Sequence, residues 1–121
     1  MVGRKAQDFR KLANAAARAA DDKKAEKVMV LDIRKESDVA DFVVIAGATS
    51  SAQMKAIRAG ITDILEKQGI VPIHQEGRPT DRWMAIDYGS LVIHILLPQA
   101  RQFYRLESLW EKAKPVIWDG R

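Results

Sequence analysis

The stretch from Glu76 to Trp110, EGRPTDRWMAIDYGSLVIHILLPQARQFYRLESLW, decides how this chain folds. Its middle holds two strand-like runs, Arg82 to Asp87 and Ser90 to Leu97, joined by the tight turn at Tyr88-Gly89. Pro98 then opens a helix reaching about Trp110, since proline is tolerated in a first helical turn. The alternation in the first run puts Trp83, Ala85 and Asp87 on one strand face and Met84 and Ile86 on the other. The Met/Ile face reads as core. Trp83 is thereby left on a more polar face beside a carboxylate, where an indole offers large burial and one directional donor. Aromatic and arginine side chains at such spacing are the residue types that dominate protein–protein hot spots.

Upstream, Phe9, Leu12, Ala16 and Ala19 recur at helical spacing within residues 5–22. Lys27 to Ile33 and Phe42 to Ala46 are apolar and β-branched runs, read as strands covered on both faces. The clearest helix follows Gly47-Ala48-Thr49-Ser50-Ser51. Ser50 with Gln53 fits a capping box, Met54, Ile57, Ile61 and Leu65 form one apolar stripe, and Gly69 marks the end. Gly60 inside it suggests a close helix–sheet contact. Val71 to Glu76 reads as a third strand, and the tail to Arg121 as loosely held. The order α-β-β-α-β-β-β-α is that of a single α/β domain with a mixed five-stranded sheet flanked by helices. Residues 1–24 read as a basic helical region of that domain, 25–115 as its body and 116–121 as a tail.

At 121 residues the chain makes one core, and it has no cysteine, so disulfides and thiolate zinc sites are excluded. The longest apolar run, Leu91 to Leu97 with His94 inside, is too short to span a bilayer. A polar, basic start without an apolar core predicts no secretory targeting and a cytoplasmic protein. The net charge of +4 lies in residues 1–24, with seven Lys/Arg against three Asp/Glu, whereas residues 25–121 hold thirteen of each. That distribution argues against a dedicated nucleic-acid binder, which carries its basic patch on the folded core. It leaves room for a peripheral phosphate contact from the first helix.

No catalytic constellation is readable. Thr49, Ser50 and Ser51 form a candidate anion-binding turn, because helix starts bind anions. A nucleotidyl-transfer site, however, needs paired strand carboxylates to hold metal, and none follows at useful spacing. His74 and His94 are the only histidines and read as core or supporting residues, not metal ligands. On the last helix, Arg101 and Arg105 share a face beside Tyr104, while Phe103, Leu106, Leu109 and Trp110 make the apolar side.

Several of these pieces, in register, resemble one family. They are Lys24-Ala25-Glu26 with Leu31-Asp32, Asp41 to Ile45, Thr49-Ser50-Ser51, Ala56-Ile57, Glu76-Gly77, Arg82-Trp83, Asp87-Tyr88-Gly89, Val92-Ile93-His94 and Arg101 to Trp110. Over about residues 5–115 the chain resembles the Iojap-like ribosomal silencing factors. Ala48 and Ala52 depart from the pattern, standing where a glycine and a larger polar or basic residue are usual. The resemblance implies a nucleotidyltransferase-like fold without catalytic carboxylates, no enzymatic activity, no cofactor and no metal. It implies a factor that binds the large ribosomal subunit through its protein number fourteen and blocks joining of the small subunit. Translation would fall as a result, typically when nutrients are scarce. The implied partner surface comprises Glu76, Arg82, Trp83, Asp87, Tyr88, Arg101 and Tyr104, with Trp83 as anchor. A homodimer of the free chain would follow if that aromatic surface is self-complementary. The readings left beside this one are a nucleotide-binding or nucleotidyltransferase-like enzyme using the Thr49 turn and an RNA-binding adaptor using the basic first helix.

Overall fold

The computed structural model describes residues 8–78, 81–100 and 113–119. Its centre is β2 (Phe42–Gly47), buried at all six positions. A strand with apolar side chains on both faces needs cover on both sides and strand neighbours on both edges. β2 accordingly pairs antiparallel with β1 (Glu26–Asp32) and parallel with β5 (Leu91–Leu96). Antiparallel pairing continues outward from β5 to β4 (Trp83–Asp87) and from β4 to β3 (His74–Glu76). Beyond β1 lies β6 (Lys114–Pro115), giving a six-stranded mixed sheet in the order β3-β4-β5-β2-β1-β6.

The architecture is the expected mixed α/β domain, with one strand more than the five read from sequence. β6 escaped because two residues, one of them proline, carry no periodicity. Proline is tolerated at that place because β6 is the outermost strand among the described residues, and an edge position need not supply an N–H. The third strand is also shorter than expected. Val71 and Ile73 lie outside it and are 65% and 72% exposed.

Two helices cover one face. α1 (Phe9–Asp22) buries an alanine-rich side, Ala13, Ala16, Ala17 and Ala20 with Leu12. α2 (Ser51–Lys67) buries the expected stripe of Met54, Ile57, Ile61 and Leu65. They pack with Phe42, Val44, Ala46, Met84, Ile86, Ile93 and Ile95 in the main core. Small side chains on α1 let its backbone lie close to the sheet and to α2. Gly60 belongs to that helix–helix approach, not to the helix–sheet contact expected for it. A Cβ there would meet Lys23 Cε at 3.3 Å and the Ala19 carbonyl at 3.7 Å. α2 ends in two nested bonds, Gly69 N–H to Glu66 and Ile70 N–H to Leu65, with Gly69 at φ +95° as the left-handed turn requires.

The opposite face carries a second, smaller cluster: Leu31, Ile33, Ala40, Val43, Ile45, Leu96 and Ala100, with Trp83 and Val92 against it. The segment expected to be a loose tail is held at three points. Val116 is buried and donates its N–H to Val30, the Trp118 indole donates to the Val28 carbonyl at 3.3 Å, and Arg18 Nε donates to the Trp118 carbonyl at 3.2 Å. These bonds bind β6 and its continuation to both β1 and α1.

Trp118→Ala should therefore lower stability by about 2 kcal/mol, whereas Ile117→Ala, at a position 78% exposed, should be close to neutral. Thermal unfolding of the two variants side by side checks this, and equal midpoints would release the C-terminal segment from the fold.

Candidate partner-docking face

The sheet register assembles the face that carries Trp83. In β4, Met84 and Ile86 point into the main core, so Trp83, Ala85 and Asp87 point the other way. Cross-strand neighbours share a face. Trp83 pairs with Leu96, Ala85 with His94 and Asp87 with Val92 on one side. On the other side Glu76 pairs with Ala85 and His74 with Asp87. Trp83, His94, Asp87, Glu76 and His74 thus lie on one side of the sheet, across it from α1 and α2.

Trp83 is half-buried at the margin of the second cluster. Its indole Nε1–H donates to His94 Nδ1 at 3.0 Å, with the two rings 5.5 Å apart and tilted by 45°. An accepting Nδ1 makes the imidazole neutral with its proton on Nε2. Burial acts in the same direction and pushes His94 down to about 4. His94 therefore orients the tryptophan as a neutral acceptor. His74 differs from the expectation that both histidines are interior: it is exposed on the edge strand, with Nε2 3.1 Å from Glu76 Oε1.

Asp87 has a structural duty, since Oδ1 accepts the Gly89 N–H at 2.7 Å and shapes the turn into β5. Gly89 adopts φ +89°, a conformation glycine supplies without strain. Tyr88 requires correction as a surface residue. It is 5% exposed, its ring lies in the main core, and burial raises its hydroxyl to about 12. Continuing the alternation through Met84, Ile86 and Tyr88 was the signal that places it inside. Arg82 is exposed just before β4, its carbonyl accepting the Leu97 N–H at 3.0 Å. Glu76 is exposed on β3. Gly77 closes β3 against β4 at φ +87°, where any Cβ would lie 2.3 Å from the Trp83 carbonyl oxygen. Arg101 and Tyr104 lie outside the described residues.

The Thr49-Ser50-Ser51 turn acts as a cap. Ser50 Oγ accepts the Gln53 N–H at 3.1 Å, while Gln53 Oε1 accepts the Thr49 N–H at 2.6 Å and the Thr49 hydroxyl at 3.0 Å. The Gln53 amide nitrogen donates to the Lys23 and Lys24 carbonyls at 3.1 and 2.9 Å. One glutamine thus closes the start of α2 and ties it to the end of α1. The Thr49 N–H and hydroxyl and the Ser50 hydroxyl oxygen of the candidate anion site are thus already engaged.

One ionic cluster was not legible in the sequence. Asp32 takes a two-pronged contact from Arg34, at 2.9 and 2.7 Å, and a third from Arg10 at 3.4 Å. Both guanidiniums lie over the Phe42 ring, 5.3 and 5.4 Å from its centre. The Arg34 hydrogen bonds hold the Asp32 carboxyl at about 2 despite partial burial. Part of the basic first helix is thereby used to fasten α1 to β1. Among the described residues, no group of three or more His, Cys, Asp or Glu side chains is placed to hold a metal, and no helix is long and apolar enough to cross a membrane.

A family model described as ribosomal silencing factor during starvation matches residues 6–120. The chain belongs to the ribosomal silencing factor family. Ribosomal silencing factor RsfS of Halalkalibacterium halodurans is 38% identical over 109 residues, covering 90% of this chain and 93% of that one. The mouse protein named mitochondrial assembly of ribosomal large subunit protein 1 is 32% identical over 89 residues, covering 71% of this chain and 39% of that one. A crystal structure of a Chromobacterium violaceum protein superimposes with a TM-score of 0.83 at 27% identity, covering 94% and 95% of the two chains. Within this family frame the match runs through the pinned C-terminal segment, in keeping with Val116 and Trp118 being part of the domain.

The His94 geometry sets a pH dependence. Between pH 6.5 and about 4 the unfolded chain takes up a proton that the folded chain refuses. Stability is then fully present above 6.5 and declines as pH falls through that window. Asp32 adds a lower limb, present above 3.8 and lost as pH falls toward about 2. Denaturant unfolding over this range should fall steadily with acid, and the His94 ring should remain mostly neutral at about pH 5 by NMR. A ring titrating at its ordinary value would overturn the buried-acceptor assignment.

Proposed function

We propose that this chain is a non-enzymatic silencing factor that binds the large ribosomal subunit through its protein number fourteen, at the face that meets the small subunit. Occupying that face blocks subunit joining and lowers translation, above all when nutrients are scarce. The family match over residues 6–120 carries the reading. The name of the mouse relative, which refers to the large ribosomal subunit, supports the choice of subunit. We place the protein's action in the bacterial cytoplasm.

The mechanism is steric. An interface of standard size, about 1,200–2,000 Å², suffices for a small domain to outcompete a weak intersubunit bridge. Trp83 is the proposed anchor, fixed in direction by His94 so that little rotamer freedom is lost on binding. Glu76, Arg82 and Asp87 set orientation around it, and Arg101 and Tyr104 complete the surface. Tyr88 serves from beneath, since its buried ring supports the turn that displays Asp87. The basic stretch 1–24 adds peripheral, salt-sensitive contact with ribosomal RNA. A phosphate-binding enzyme is disfavoured because Thr49 and Ser50 are engaged in capping α2.

Co-sedimentation with isolated large and small subunits at about 150 mM salt tests the proposal. Retention on large subunits alone, with fewer joined ribosomes when small subunits are added, is the expected result. Trp83→Ala should weaken that retention roughly 30-fold or more, about 2 kcal/mol, in a chain that still unfolds cooperatively. Equal binding to both subunits, or to neither, would sink the reading. An unfolded variant would return Trp83 to a purely structural role.

A further inference from the structure

The Asp32 cluster that fastens α1 to β1 also shapes a cleft of about 300 Å³ beside it, lined by Asp32, Arg34, Lys35, Glu36, Ala113 and Lys114. In the sheet register Lys114 stands opposite Asp32 across the β1–β6 pair, and so on the same face. Arg10 reaches the same carboxylate from α1 at 3.4 Å. Four cationic side chains thus surround two carboxylates, Asp32 and Glu36. Asp41 acts on Arg34 from outside the cleft and does not cancel the excess. The local balance is positive, although residues 25–121 hold equal numbers of each sign.

The arginines are held in position. Asp32 takes two N–H groups from Arg34, at 2.9 and 2.7 Å, and one from Arg10. A guanidinium has five, so each keeps donors for a second acceptor. The Phe42 ring lies under both, 5.3 and 5.4 Å from the guanidinium carbons, and limits their swing. Lys35 and Lys114 are exposed and, among the described residues, in no ion pair. An anion entering the cleft meets two fixed planar forks and two ammonium groups that no carboxylate neutralises.

We propose that this cleft binds phosphate groups, with Arg34 as the fixed fork and Arg10, Lys35 and Lys114 as the surrounding charge. A lone carboxylate matches one fork but leaves the lysines unmatched. An RNA backbone repeats its charge, so one phosphate meets the fork and its neighbours meet the lysines. A free polyphosphate ligand carries the same chemistry. Of the cationic groups here, Arg10 alone comes from the stretch 1–24 to which peripheral RNA contact is assigned above. Ala113, which lines the cleft, packs against the same second cluster as Trp83, so cleft and indole border one apolar layer. The proposal does not rest on the ribosomal reading, because its probes contain no ribosome.

Fluorescence anisotropy of a labelled RNA hairpin of about 20 nucleotides, titrated with the full chain at about 50 and about 200 mM salt, provides the test. The double variant Lys35→Glu with Lys114→Glu should weaken binding at least ~10-fold at the lower salt. The control pair Lys55→Glu with Lys67→Glu, on the exposed side of α2, carries the same net charge and should weaken it less than about 3-fold. Unfolding midpoints are measured alongside; should a charge reversal lower one, Lys35→Gln with Lys114→Gln replaces it, with a loss of about 3-fold expected. Inorganic phosphate, followed by NMR at the Arg34, Lys35 and Lys114 amides, distinguishes the sources. Loss of RNA binding in the double variant identifies a nucleic-acid backbone. Phosphate shifts at those amides, with RNA binding unchanged by the variant, identify a small phosphorylated ligand. Equal weakening by the control pair, equally tight binding of a polyglutamate peptide, or no response to either probe each overturns the proposal.

Discussion

The parallel pairing of β2 with β5 at the middle of the sheet is the constraint from which the remaining architecture follows. β2 is buried along its whole length, and its side chains alternate between two different clusters. Phe42, Val44 and Ala46 need the helices, while Val43 and Ile45 need a second apolar layer. A parallel pair also needs a crossover, and α2 with the segment through β3 and β4 provides it. Because that crossover returns with β4 antiparallel to β5, the sheet carries an antiparallel wing beside its buried centre. The wing is where a tryptophan can be half-buried. At the centre it would be wholly covered, and on an isolated strand it would not be held.

The Trp83–His94 pair converts that position into a shaped surface. A half-buried indole with its N–H unpaired would incur a desolvation penalty. His94 removes it while burying an imidazole in place of a charge, because the same burial that lowers its protonation leaves Nδ1 free to accept. The side chain opposite in register, Ala85, is small, so the two rings can meet across the strands. Orientation of the Trp83 indole is thus set by the sheet itself, through His94 on the neighbouring strand.

What the sequence disclosed, and what it withheld, follows the range of the interactions involved. α2 was legible because each of its signals is local: Ser50 pairs with Gln53, the stripe Met54, Ile57, Ile61 and Leu65 recurs at helical steps, and Gly69 closes onto Glu66. β1, β2, β4 and β5 were legible because continuous or alternating apolarity records burial directly. β3 was overextended because Val71 and Ile73 are apolar yet lie on an edge, and composition does not record which strand is outermost. β6 was invisible at two residues, and its hold on the fold comes from Val30, Val28 and Arg18, all distant in sequence. The Asp32 cluster joins Arg10 to a carboxylate 22 residues away. At the candidate face, the side assigned to Trp83 and Asp87 followed from alternation alone. Tyr88, placed on the partner surface by the resemblance, lies inside because the same alternation continues through Met84 and Ile86 to it.

Among the described residues, the two helices at the back owe their positions to contacts made away from the Trp83 side of the sheet. Gln53 joins α1 to α2 by their termini, and Arg10 and Arg18 join α1 to β1 and to the C-terminal segment. All of these ties lie on the helical side or at the β1 end of the sheet. The β4 end, by contrast, is secured by strand pairing and by the Asp87–Gly89 turn. A domain built this way can be held firmly at one end while presenting backbone edge, indole and carboxylates at the other. The rigidity that positions Trp83 comes from the sheet, so the proposed partner would meet a surface already in place rather than one formed on contact.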